Sequence, residues 1–286
     1  MPSQFINRRG LRAASALALV LGTGLTVPIA LAGTAGAAAL PATAAVNEYG
    51  WQLTYTAAVG QTNKVAITES YTSDRTGIVY VIDDVLPVSA GSGCVHPVDT
   101  DRTKVSCTVA LVDSQDPYAA LQMDLGNGND TVISKNTTRQ VYSYNRIDLG
   151  TGNDKVTDNL GLDGNDINGG PGDDTISVGK LALVVGGDGN DTVYANGDYI
   201  IAQGGKGNDV IHGGSDHQDL TGDDGNDTLY GGPADDSLYG GKGNDVLYGN
   251  SGNDTLYGNS GNDTLYGGPG RDKLSGGPGR NTLHQG

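Results

Sequence analysis

The chain has 286 residues and a formal net charge of -16. Glu occurs only at Glu48 and Glu69, so 31 of the 33 acids are Asp, a residue of turns and metal sites rather than of a merely solvated surface. That charge argues against nucleic acid or an anionic membrane as partner, and 47 Gly with one Phe and one Trp leave little conventional core.

Residues 1–44 read as a secretory signal peptide. Arg8, Arg9 and Arg12 form a basic start, and the apolar run 13–32 is interrupted by Gly22, Gly24 and Pro28. Ala42-Thr43-Ala44 then offers a small-residue cleavage site before Ala45. A membrane anchor is the competing reading, since the run is nearly long enough to span. The helix breakers and the cleavage site favour removal, and hence a secreted product. Arg8-Arg9 also admits twin-arginine export, ranked second to export of an unfolded chain.

From 45 to 123 the chain is β-rich. QLTYT (52–56), KVAIT (64–68) and GIVYVI (77–82) partly alternate apolar and polar residues. Cys94 and Cys107 flank a turn, and two Cys in an exported chain predict one disulfide stapling a hairpin or two neighbouring strands. Asp83-Asp84 is an acid pair of the kind hydrolases use, but alternation along a strand would point the two opposite ways, and a surface turn is the better reading. No H-E-x-x-H or G-x-S-x-G occurs, and His96, His212, His217 and His284 are scattered. The sequence therefore predicts no enzyme and names no catalytic residue.

Between 124 and 203 a glycine-rich phrase appears in loose form: DLGNGNDTV (124–132), DLGTGNDKV (148–156), GLDGNDIN (161–168), GGPGDDTIS (169–177) and GGDGNDTVY (186–194). From 204 to 284 it becomes nine consecutive nonapeptides, from GGKGNDVIH (204–212) through GNSGNDTLY (249–257 and again 258–266) to GGPGRNTLH (276–284). Gly holds the first place throughout, Leu or Ile the eighth, and Asp the sixth except at Gln218 and Asn281. Gly at the first, second and fourth places predicts positive φ and a tight reversal with exposed carbonyls. The Asp adds hard oxygen beside them, which suits calcium. The x-U-x that follows is a minimal strand with one inward apolar side chain, and only stacked copies can bury it.

The phrase resembles the hemolysin-type calcium-binding (RTX) repeat family, G-G-x-G-x-D-x-U-x. The resemblance implies an all-β fold, a right-handed parallel β-roll or β-helix solenoid, regular over 204–286 and degenerate over 124–203, with Ca2+ as its cofactor. With the leader at the front, the chain looks most like secreted actinobacterial members without an attached catalytic domain. Two nonapeptides per coil would place Asp191, Asp209, Asp227, Asp245 and Asp263 on one edge and Asp236, Asp254 and Asp272 on the other. Each calcium would take an Asp carboxylate and backbone carbonyls from two stacked turns. The carbonyls implied are those of Gly204, Gly207, Gly222, Gly225, Gly231, Gly240, Gly243, Gly249, Gly252, Gly258, Gly261, Gly267 and Gly270. Six sites follow between intact neighbours. Gln218 should spoil those on either side of it, and Asn281 should weaken the last turn. Asp130, Asp154, Asp166 and Asp174 stand apart as poorer candidates, because their spacings break the 18-residue register.

Tyr at the ninth place should form two outward ladders, Tyr230, Tyr248 and Tyr266 on one sheet and Tyr239 and Tyr257 on the other. Stacking along the sheet is the favoured reading, and a platform for cell-wall or extracellular glycan the alternative. The functional expectation is a calcium-binding structural or adhesive extracellular protein, without membrane insertion. Its competitor is a polysaccharide lyase or epimerase working from the amino-terminal β region.

Overall fold

The computed structural model describes residues 40–113, 117–138, 143–158 and 164–286. The basic start and apolar run read as a leader lie outside the described residues. Every regular element described is a strand, and the strands form two sheets of 12 and 13. The first nine are β1 (Ala42–Val46), β2 (Leu53–Thr56), β3 (Lys64–Tyr71), β4 (Gly77–Asp83), β5 (Val88–Ala90), β6 (Cys94–Val95), β7 (Lys104–Ala110), β8 (Tyr118–Asp124) and β9 (Thr131–Asn136). From β8 and β9 onward, successive strands alternate between the sheets and every pairing is parallel. The chain thus winds as a two-sided coil, a parallel β-solenoid.

Coil length is read from the strand partners. Thr131 pairs with Lys155, Lys155 with Thr175, Thr175 with Thr192, and Thr192 with Val210. The coils therefore hold 24, 20, 17 and then 18 residues, and the spacing stays at 18 to the last pairing, Thr264 with Thr282. Uneven early spacings change the length of a coil while the paired strands stay in parallel register.

The amino-terminal strands extend the same two sheets. β2 pairs in parallel with β8, and β3 with β9. Beyond them the pairing turns mostly antiparallel: β1 with β2, β3 with β4, and β4 and β6 with β7. These hairpins cover an end of the solenoid that would otherwise offer open strand edges. Cys94 and Cys107 face each other across β6–β7 and are disulfide-bonded, closing a short loop in this cap. A link of that span contributes about 3 kcal/mol by restricting the unfolded chain.

The two regions bury different cores. The cap encloses Leu53, Tyr55, Ile67, Ile78, Tyr80 and Ile82 completely. The roll buries one aliphatic side chain in each of its first seven nonapeptides, Ile211, Leu220, Leu229, Leu238, Leu247, Leu256 and Leu265, while Leu274 is half-buried and Leu283 exposed. One such side chain, worth about 2 kcal/mol when buried, must support nine ordered residues, so the roll needs another source of cohesion. The cleavage position read at Ala44–Ala45 falls inside β1, where Ala42 and Ala44 are fully buried.

Candidate metal centre

Along each regular nonapeptide the sixth, eighth and following first residues face inward: Asp227, Leu229 and Gly231, for example, are buried in turn. The turn itself needs positive φ at its second and fourth places, as at Gly205 (117°) and Gly207 (132°). Asn250 and Asn259 take the second place at 70° and 71°, a region Asn tolerates through local hydrogen bonding. The first-place glycines do not adopt positive φ, contrary to the sequence expectation. They are glycine for space: a Cβ on Gly222 would collide with Oδ2 of Asp227 and crowd the Gly240 carbonyl, and Gly186, Gly240 and Gly249 repeat that arrangement.

The inward aspartates form two columns. In the long one, each backbone N–H donates to Oδ1 of the residue one coil later. It runs Asn63, Asp130, Asp154, Asp174, Asp191, Asp209, Asp227, Asp245, Asp263 and Asn281, with separations of 2.5–3.0 Å. Asp130, Asp154 and Asp174 thus stand in register with the regular repeats despite their spacing. In the short column the Gln218 N–H donates to Asp236, Asp236 to Asp254, and Asp254 to Asp272. Asp166 lies in neither column. It sits on the strand Asp166–Pro171 and ion-pairs with Arg146 at 2.9 Å, while its neighbour Asn165 is buried and accepts the Asn145 N–H. The 20-residue coil brings Asn165 inward at this point, so the sixth-place reading of GLDGNDIN is one residue off.

Each column aspartate uses Oδ1 and leaves Oδ2 buried without a partner, from Asp130 through Asp263 in the long column and at Asp236, Asp254 and Asp272 in the short one. Burial pushes Asp154, Asp191, Asp209 and Asp245 up to about 6, and Asp174, Asp227 and Asp236 up to about 7. Desolvation leads in each, against the lowering effect of the ladder hydrogen bond. A file of buried oxygens with no donor beside them fits a cation. Among the described residues no three His, Cys, Asp or Glu side chains converge. Carboxylate with carbonyl oxygen is a hard-cation set, suited to calcium.

The RTX calcium-binding nonapeptide repeat family matches the chain over residues 160–180, 183–198, 201–217, 213–247, 221–256 and 248–283. Those residues carry RTX calcium-binding nonapeptide repeats. No curated protein matches the chain. The parallel roll expected from the resemblance is present, and calcium is the ion its RTX repeats bind.

The RTX roll carries one further file that the sequence reading missed, and an aromatic column longer than it read. Fifth-place side chains form an exposed ladder outside the aspartates. Asn208 N–H donates to Asn190, Asn226 to Asn208, Asn244 to Asn226, and Asn262 to Asn244, at 2.8–2.9 Å. Here the later coil donates to the earlier, opposite to the aspartate column. The signal was the repeated Asn before Asp, which reads locally as an ordinary turn residue. The aromatic column is also longer than its tyrosines. Tyr194, His212, Tyr230, Tyr248, Tyr266 and His284 stack with centroids 4.5–5.1 Å apart and planes within 6°. Tyr239 and Tyr257 stack on the other sheet at 5.3 Å.

In the cap the acid pair splits. Asp83 ion-pairs with Lys104 at 2.7 Å, and Asp84 is buried, accepting the Tyr55 hydroxyl at 2.8 Å and the Lys64 N–H at 2.9 Å. The opposite orientations agree with strand alternation, but the burial of Asp84 replaces the expected surface turn with a structural clasp.

Proposed function

We propose that the protein is an exported calcium-binding roll whose folding is coupled to the ion, and that it serves a structural or adhesive role outside the cell. The observation that carries this reading is the file of buried Oδ2 atoms. Without a cation they repel one another and lose hydration, and the single Leu row cannot offset the chain entropy. Calcium placed between coils removes that repulsion and adds binding free energy that only the folded chain collects.

The ligands we assign are the carboxylates of Asp191, Asp209, Asp227, Asp245 and Asp263, and of Asp236, Asp254 and Asp272, with carbonyls of the glycine turns. Asp130, Asp154 and Asp174 join the long column and add three neighbouring pairs, 130/154, 154/174 and 174/191, to the six read from the spacing. The leader, RTX repeats and disulfide together support an extracellular setting. The stacked rings favour packing over a glycan platform, because each inner ring has both faces covered by its neighbours.

Far-UV circular dichroism of the chain without its leader, titrated with calcium and in parallel with magnesium, tests the coupling. A steep gain of β signal with calcium alone is expected. Full β signal in chelator, unchanged by calcium, would defeat the coupling.

A further inference from the structure

At Gln218 the short column departs from its pattern in a way that substitution by a non-ligand does not explain. Gln218 is fully buried and holds the sixth place of its nonapeptide. Its Oε1 accepts the Ile200 N–H at 3.3 Å, the role Oδ1 plays for each aspartate. Its Nε2 donates to the carbonyls of Gly197 and Asp216, each at 2.7 Å. Where every aspartate leaves one oxygen without a partner, Gln218 leaves nothing unsatisfied.

We infer that the Gln218 amide is a built-in stand-in for a calcium ion, its NH2 bridging carbonyl oxygens of two successive coils where the other turns use the metal. The inference rests on the calcium reading of the columns. An amide NH2 carries partial positive charge and two directed donors, so it can collect two carbonyl oxygens, the donor class calcium itself uses. It does so without a net charge to desolvate. A related contact occurs at both ends of the long column. Asn63, also fully buried, directs Nδ2 to Oδ1 of Asp130 at 3.1 Å and to the Gln61 and Leu125 carbonyls at 3.3 and 3.4 Å, and Asn281 directs its own to one carbonyl of its own turn, that of Gly277, at 2.8 Å. Amides therefore stand at both ends of the long column and at the start of the short one. The coil junction at Gln218 closes without metal, and calcium is required on that edge only beyond it.

The test counts ions and measures stability on the full chain without its leader. The variants are Gln218→Asp, Gln218→Asp with Asp216→Gly (which restores the fourth-place glycine), and Gln218→Leu. Native mass spectrometry in calcium should find one more ion per chain in the doubly substituted variant than in the wild type. Gln218→Leu should bind the wild-type number yet melt several degrees lower in calcium, because two carbonyls lose their donor. The inference is overturned if neither aspartate variant gains an ion while its circular dichroism in calcium matches the wild type. It is equally overturned if Gln218→Leu melts with the wild type. A wild-type chain that binds no calcium removes the calcium reading itself, and this inference with it.

Discussion

The two oxygens of one aspartate divide the work of the roll. In Asp227, Oδ1 accepts the Asp209 N–H and ties two coils, while Oδ2 is buried and unpartnered beside Gly222. Replacing Asp227 by Asn separates the two roles, because the amide oxygen can keep the ladder bond and the charge disappears. In chelator the Asp227→Asn chain should be at least as stable as the wild type, since an uncompensated buried charge is removed. In calcium it should bind fewer ions and show a smaller rise in melting temperature. Thermal melts with and without calcium check this. A variant that loses stability equally in both conditions would show that Oδ2 has no metal-linked role.

Among the elements, β1 bears on where a leader would be cut. Thr43 and Ala44 pair with Thr56 and Tyr55 of β2, and with Ser89 and Ala90 of β5. A chain beginning at Ala45 lacks most of that strand. A chain beginning at Leu40 should therefore melt higher than one beginning at Ala45, and the exported product should start ahead of β1. Amino-terminal sequencing and paired thermal melts read both, and equal stability of the two chains would remove the argument. The strands of the repeat region were legible because their period is short and repeated: a Leu every nine residues leaves one choice of inward face. The cap was not, because QLTYT and KVAIT alternate in the same way whether they enter a coil or a hairpin, and the partners that decide lie far away in sequence. Asp166 was misread for a related reason, since the coil carrying it has 20 residues and the local phrase does not show which residue turns inward. The amide contacts of Gln218 depend on the fold, as spacing alone marks that position only as an interruption.

For the whole molecule, the buried carboxylates set a pH dependence opposite to that of a protein held by salt bridges. Asp154, Asp174, Asp191, Asp209, Asp227, Asp236 and Asp245 are raised to about 6 or 7 by burial, and buried Glu69 to about 7. In the unfolded chain these groups titrate near 4. Between those limits the folded, calcium-free chain holds more protons than the unfolded one, so its stability falls as pH rises. The stabilising contribution is fully present below about pH 4 and lost as pH passes through 6–7. In chelator, the chain should be more β-structured near pH 4.5 than at pH 7.5, and calcium should erase most of the difference. Circular dichroism at the two pH values, with and without calcium, decides it. Greater order at pH 7.5 in chelator would contradict the burial argument.

The continuity of both sheets from cap to last coil has a consequence for how the array knows its own phase. The copies at 249–257 and 258–266 are identical, yet one strand, Thr255–Ser260, belongs to one sheet and the next, Thr264–Tyr266, to the other. No residue in either copy states which side it takes. That address is inherited, coil by coil, from β8 and β9, which the cap fixes through β2 and β3. Removing nine residues would send every later strand to the opposite side, while removing eighteen would leave each address unchanged. The cap thus works as the origin of a coordinate system that the repeats can extend but cannot define.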